Sequence, residues 1–133
     1  MLIPVLVEQW VEGSEESLRI MTLLYKNNEY TNALFYGQLT LEKLLKALYA
    51  KTNKENPHAP KTHNLVLLAD KCNLNVDDEM KKELATISRF NLEARYDDEK
   101  KDFFKTCTKE FTQKQIVNIK EIREWLKEKL IQK

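Results

Sequence analysis

The sequence is short of chain-breaking residues. Only 2 glycines and 3 prolines occur among 133 residues. That scarcity disfavours a turn-rich all-β fold and any glycine-rich phosphate loop. Cysteine is equally sparse, and Cys72 and Cys107 form no CxxC pair. They suit a reducing cytoplasm better than a disulfide framework. Neither sign of charge dominates. The formal net charge is +1, so no global field favours nucleic acid or an anionic membrane. A long apolar run is missing too. The stretch 1–10 has no basic leader segment and its apolar run breaks at Glu8, which argues against a signal peptide or a membrane span. Histidine stops at His63. The spacings of His58, His63, Cys72 and Cys107 match no common zinc pattern. No metalloprotease, Walker or nucleophile-elbow motif occurs. No metal or cofactor is therefore expected, and nothing marks a Cys–His nucleophilic pair.

What is present is helix. The chain is 42% hydrophobic and 32% charged, enough for the core of one domain over 1–133. Val7, Trp10, Val11, Ser14, Leu18, Met21 and Tyr25 keep three-four spacing and predict a helix over 4–26, opened by Pro4. Gly13 costs it about 1 kcal/mol against alanine. The run stops at Asn27-Asn28, and Asn28 is placed to cap a second helix over 29–52. Its stripe is Tyr30, Leu34, Gly37, Leu41, Leu44, Leu45 and Leu48, with Phe35, Tyr36 and Leu39 lying off it. Such a helix is central in the fold or shared with a second subunit.

Residues 53–62 hold two prolines and read as the longest loop. Thr62 then caps a short helix over 63–72 that stops at Asn73. Asp77 or Asp78 starts another helix to about 94, with Met80, Leu84, Ile87 and Asn91 in line. The run 97–102 reads as a charged, solvated connection, and 103–111 is ambiguous. Thr112 and Gln115 form a capping box for the last helix. It carries Ile116, Ile119, Ile122, Leu126 and Leu130 at helical spacing. Lys127, Lys129 and Lys133 suit its C-terminal dipole. The expectation is an all-α, antiparallel up-and-down four-helix bundle with one extra short helix.

Three stretches invite a chemical reading. Gln38, Glu42 and Lys46 form a polar row at i, i+4, i+8 on the apolar second helix. They are either a boundary strip with one exposed ion pair or a seam facing a ligand or partner. His63, beside Thr62, is either a first-turn polar residue or a hydrogen-bonding group at a helix N-terminus, where anions are favoured. Arg95 and Tyr96 either close a helix or offer a guanidinium fork for phosphate beside a ring for stacking.

Trp10, the run Tyr36 to Leu48, then Thr62-His63-Asn64-Leu65 and Ala94-Arg95-Tyr96-Asp97 together resemble the HEPN domain, the higher eukaryotes and prokaryotes nucleotide-binding family. The resemblance spans nearly the whole chain. It implies a helical up-and-down bundle, often dimeric, and frequent pairing with a minimal nucleotidyltransferase encoded nearby. Many members are RNase toxins that need no metal. Active RNase members carry an arginine followed four to six residues later by a histidine. Here neither Arg89 nor Arg95 is followed by one, so the pair that would activate a ribose hydroxyl and steady the phosphate is missing. The resemblance therefore implies a non-catalytic HEPN protein. It would bind a nucleotide or a partner nucleotidyltransferase, as in a toxin–antitoxin-like pair. The alternatives are a ribonuclease with a rearranged site and a dimeric helical adaptor without ligand. Gln38, Glu42, Lys46, His63, Arg95 and Tyr96 are the candidate ligand-binding residues, expected to converge on one concave surface. Phe35, Tyr36 and Leu39, with Trp10 and Trp125, are the expected dimer surface.

Overall fold

The computed structural model describes residues 2–132 and is all-α. Six helices follow one another: α1 (Leu2–Lys26), α2 (Tyr30–Thr52), α3 (Leu65–Lys71), α4 (Asp78–Glu93), α5 (Asp97–Thr106) and α6 (Lys109–Ile131). No helix among the described residues is long and apolar enough to cross a membrane.

Helix α2 is the hub and packs against each of the other five. Its leucines at 34, 41, 44, 45 and 48 are buried, together with Met21, Ile87, Phe90, Ile119, Ile122 and Leu126. Its second apolar side is therefore largely spent inside the chain. Phe35, Tyr36 and Leu39 stay only half-buried.

Small residues set the distances around α2. Helix α1 runs antiparallel to it, with Ser14 Oγ donating to Thr40 O at 2.6 Å and Met21 lying beside Gly37. Helix α6 runs parallel to it, since Ile119 meets Gly37 and Lys51 donates to the carbonyl of Leu130. A methyl group on Gly37 would stand 2.5 Å from Ile119 Cδ1. The glycine is thus required where α1, α2 and α6 close on one another.

Several helix boundaries differ from the sequence expectation. Asn28 does not cap α2. It takes a left-handed conformation (φ 62°) that ends α1, which asparagine tolerates. Glu29 is the N-cap instead, without a side-chain cap bond. Asn73 (φ 56°) does end its segment as expected. Thr62 does not cap α3. Asn64 does, accepting from Leu67 N, so the helix begins two residues later than predicted.

The run 97–102 is exposed throughout, as expected, but it is helix rather than a connection. Asp97, Asp98 and Glu99 occupy the first turn of α5 and Lys105 its last, the arrangement the helix dipole favours. Burial of Phe103, stacked 5.3 Å from Phe90, anchors the helix. There are thus six helices rather than five. The capping box at Thr112 is also superseded. Thr108 caps α6 by accepting from Phe111 N, and Thr112 lies one turn inside, fully buried. At the other end Lys129 stands in the last turn of α6, as expected, and Lys51 of α2 reaches the carbonyls of Leu130 and Gln132. Lys133 lies outside the described residues.

Candidate nucleotide-binding site

The row Gln38, Glu42 and Lys46 is not an exposed strip. These residues are 0%, 5% and 9% exposed. The crossover between α2 and α3 folds over them, and α4 closes the other side.

Hydrogen-bond chemistry fixes the order of the cluster. Arg95 can only donate and an ionised Glu42 can only accept. Between them run two amides. Arg95 Nη2 donates to Asn91 Oδ1 at 2.7 Å, Asn91 Nδ2 to Gln38 Oε1 at 2.9 Å, and Gln38 Nε2 to Glu42 Oε1 at 3.0 Å. Each amide has one orientation that satisfies both neighbours. Gln38 Nε2 also donates to the carbonyl of His63 at 2.9 Å. His63 Nδ1 lies 2.8 Å from Glu42 Oε1 and must carry the proton, because the carboxylate has none. Lys46 Nζ donates to Glu42 Oε2 at 3.0 Å and sits 5.4 Å from the Trp10 ring centre.

Burial alone pushes the Glu42 carboxyl up. The hydrogen bonds from Gln38, His63 and Lys46, with the charge of Lys46, outweigh it and hold Glu42 below its ordinary value. The carboxylate is therefore internal and neutralised. Outward stand Arg95 and Arg89, the latter 3.5 Å from the Glu93 carboxylate. Arg95 Nε and Nη2 are held by Asn91, and no carboxylate among the described residues pairs with it.

Beside this chain lies an open groove of about 550 Å³, lined by His63, Ser88, Arg89, Asn91, Leu92 and Arg95. The His63 side chain is 54% exposed. The Arg95 guanidinium carbon stands 5.6 Å from the Tyr96 ring centre and 6.0 Å from that of Phe35, within cation–π range. The arrangement offers a fixed guanidinium, a second arginine and rings at its edge. That is chemistry suited to a phosphate attached to a flat group.

Five of the six sequence candidates are thus bonded into one chain. Tyr96 is not part of it, being 54% exposed and meeting Arg95 only through its ring. Lys46 joins through Glu42 and is not among the groove-lining residues. The single concave surface expected from the sequence is therefore replaced by a buried chain with two ends. Asn91, absent from the sequence candidates, is the connecting link. Its signal was a polar residue on the inward stripe with Met80, Leu84 and Ile87. Among the described residues no group of three or more His, Cys, Asp or Glu is placed to hold a metal ion.

Neither a curated protein nor a solved structure matches the chain. The family model described as the HEPN domain matches residues 7–130. With nearly the whole length covered, and its polar row built into the second helix, the chain belongs to the HEPN domain family.

Proposed function

We propose that this is a non-catalytic HEPN domain that binds a nucleotide in the groove between His63 and α4. The observation that carries the reading is Arg95. It is oriented by Asn91, free of any carboxylate partner among the described residues, and placed between two aromatic rings. Its Nη1 and the Arg89 guanidinium serve the phosphates. Tyr96 serves the base, with stacking worth roughly 1–3 kcal/mol. In this reading the four long helices α1, α2, α4 and α6 form an up-and-down bundle. The protein works in a reducing cytoplasm, as a homodimer through the half-buried Phe35, Tyr36 and Leu39. Its macromolecular partner is a minimal nucleotidyltransferase, the two forming a toxin–antitoxin-like pair.

Calorimetry with ATP, GTP and a short oligonucleotide tests the ligand. Wild type is expected to bind at least one of them, and Arg95→Ala to lose most of that affinity. Failure of all three to bind more tightly than about millimolar, equivalent to about −4 kcal/mol, removes the nucleotide site. The cationic rim would then serve a protein partner, or the chain would be a dimeric adaptor without ligand. Sedimentation at micromolar concentration reads the oligomeric state.

One observation favours a second reading, a ribonuclease with a rearranged site. His63 is oriented through Nδ1 by a buried carboxylate, leaving Nε2 free of that bond, and it lines the same groove as Arg95. A base held by an orienting carboxylate beside a phosphate-binding cation is what 2′-hydroxyl activation requires. RNA cleavage that survives rigorous purification and disappears in both His63→Ala and Arg95→Ala would favour this reading over the first.

A further inference from the structure

The groove between His63 and α4 holds an unequal inventory of donors and acceptors. Two guanidinium groups line it, and they can only donate. Most of its side-chain acceptors are engaged within the protein. Asn91 Oδ1 accepts from Arg95, and Asn64 Oδ1 from Leu67 N. Ser88 Oγ accepts from Leu65 N and donates to Leu84 O. Thr62 Oγ1 accepts from Asn64 N.

His63 is the exception. Its Nδ1 faces Glu42, a carboxylate 5% exposed that also takes bonds from Gln38 and Lys46. A pure acceptor at that position fixes the proton of the neutral ring on Nδ1. Nε2 is then a bare acceptor, on a side chain 54% exposed. A bare ring nitrogen repels an unprotonated phosphate oxygen and attracts a hydroxyl. The buried carboxylate thus gives His63 a task opposite to that of the arginines.

The two chemistries face each other across a short floor. Gln38 Nε2 donates to His63 O, and Gln38 Oε1 accepts from Asn91 Nδ2, each at 2.9 Å. One amide therefore spans from the His63 backbone to the residue that holds Arg95. A ligand in the groove meets a guanidinium on one wall and a bare nitrogen on the other. It needs an anion and, close by, an uncharged hydroxyl donor. A ribonucleotide carries both. Its 2′-hydroxyl is present whether the nucleotide is free or part of a strand, and it is the group by which a protein tells RNA from DNA.

We propose that His63 Nε2 accepts a hydrogen bond from the ribose 2′-hydroxyl and so makes the groove selective for ribonucleotides over deoxyribonucleotides. The inference rests on the nucleotide reading of the groove and adds the sugar to it. Glu42 is a positioning residue, which selects the tautomer of His63 and touches no ligand. The contact holds the hydroxyl and removes no proton from it, so a non-catalytic protein shows the selectivity as well.

Calorimetry on the full chain compares ATP, GTP and a short RNA with their 2′-deoxy counterparts. It is run at pH 8, on the neutral side of the ordinary imidazole range. Each ribose form that binds is expected to bind about three- to tenfold more tightly than its deoxy form, the worth of one net hydrogen bond. His63→Asn places an amide nitrogen where Nδ1 stands, so the donor to Glu42 is kept, and it has no atom at the position of Nε2. The ratio of the two affinities is expected to fall to unity in this variant. Arg95→Ala is expected to weaken both sugars alike. Equal wild-type affinity for the two sugars overturns the inference and leaves the nucleotide site standing. A preference retained in His63→Asn also overturns it. If none of these ligands binds wild type more tightly than about millimolar, the nucleotide site fails and the inference with it. The wild-type comparison decides even where the variant folds poorly.

Discussion

Glu42 Oε1 and His63 Nδ1 stand 2.8 Å apart although 21 residues separate them in the chain. With Gln38 donating to the His63 carbonyl, this contact ties the crossover after α2 back onto the middle of α2. The tie also covers the buried carboxylate, so crossover and charge cluster stand or fall together.

Removing the charge of Glu42 strands Lys46. Glu42→Gln presents an amide donor or an uncharged acceptor to a buried ammonium. We expect a loss of about 2–4 kcal/mol, at or just below the range for a buried ion pair broken on one side. Lys46→Met leaves Glu42 its bonds from Gln38 and His63 and is expected to cost less than half as much. Urea unfolding of both variants decides it. Equal costs would mean that Glu42 depends on Lys46 as much as Lys46 depends on Glu42.

The same carboxylate sets a pH dependence. Its folded value lies below the unfolded one. The stabilisation it gives is therefore complete above the unfolded value, about 4.3 for glutamate, and is lost as pH falls through the folded value. Wild type should lose stability on acidification below about pH 4, with a flatter acid limb in Glu42→Gln. Parallel acid limbs for the two proteins would refute this assignment.

The two glycines of the long helices should behave oppositely. In Gly37→Ala the new methyl would meet Ile119 Cδ1 at 2.5 Å and Met21 Sδ at 3.1 Å, among fully buried side chains. Overpacking of this kind costs roughly 1–3 kcal/mol, more than the helix propensity gained. Ile119→Val removes the clashing methyl and should rescue part of that loss in a double-mutant cycle. At Gly13 the neighbour is Lys43 Cδ at 3.2 Å, part of a flexible chain. Gly13→Ala is therefore expected to gain up to about 1 kcal/mol of helix propensity. Thermal unfolding of the three variants reads both signs.

The cysteines should be silent in the native protein. Burial pushes the Cys72 thiol up to about 12. Burial pushes Cys107 up to about 11, opposed by the Thr31 hydroxyl and aided to a smaller extent by the charge of Glu93. Reaction needs the exposed thiolate. Labelling with a thiol reagent at neutral pH should therefore be slow in buffer and reach two equivalents in denaturant. Rapid native labelling would show that one of these pockets opens readily.

The α class was legible because apolar residues recur every three or four positions and almost nothing interrupts them. Helix ends were less legible. Thr62, Thr108 and Thr112 all have cap chemistry, and tertiary burial selects among them. The run 97–102 was legible as exposed but not as helix, because the buried anchor of α5, Phe103, lies just beyond it. At the candidate site, the row Gln38, Glu42, Lys46 was visible as a pattern, but its depth was not. Spacing is identical for an exposed pair and for one roofed over by a distant crossover. Asn91 was readable only as an oddity on an apolar stripe, since its partner Gln38 lies 53 residues away.

The parallel pairing of α2 with α6 has a consequence for how the chain is made. Gly37 emerges from the ribosome some 80 residues before Ile119. At roughly 5–20 residues per second, the side of α2 that receives α6 waits several seconds for its cover. Helix α1 is already present and pairs along α2, but it cannot fill the α6 seam. During that interval the nascent hairpin shows an apolar stripe around a glycine notch. Slowed translation between α2 and α6 would lengthen the exposure, and chaperone capture in that window should fall once α6 is out.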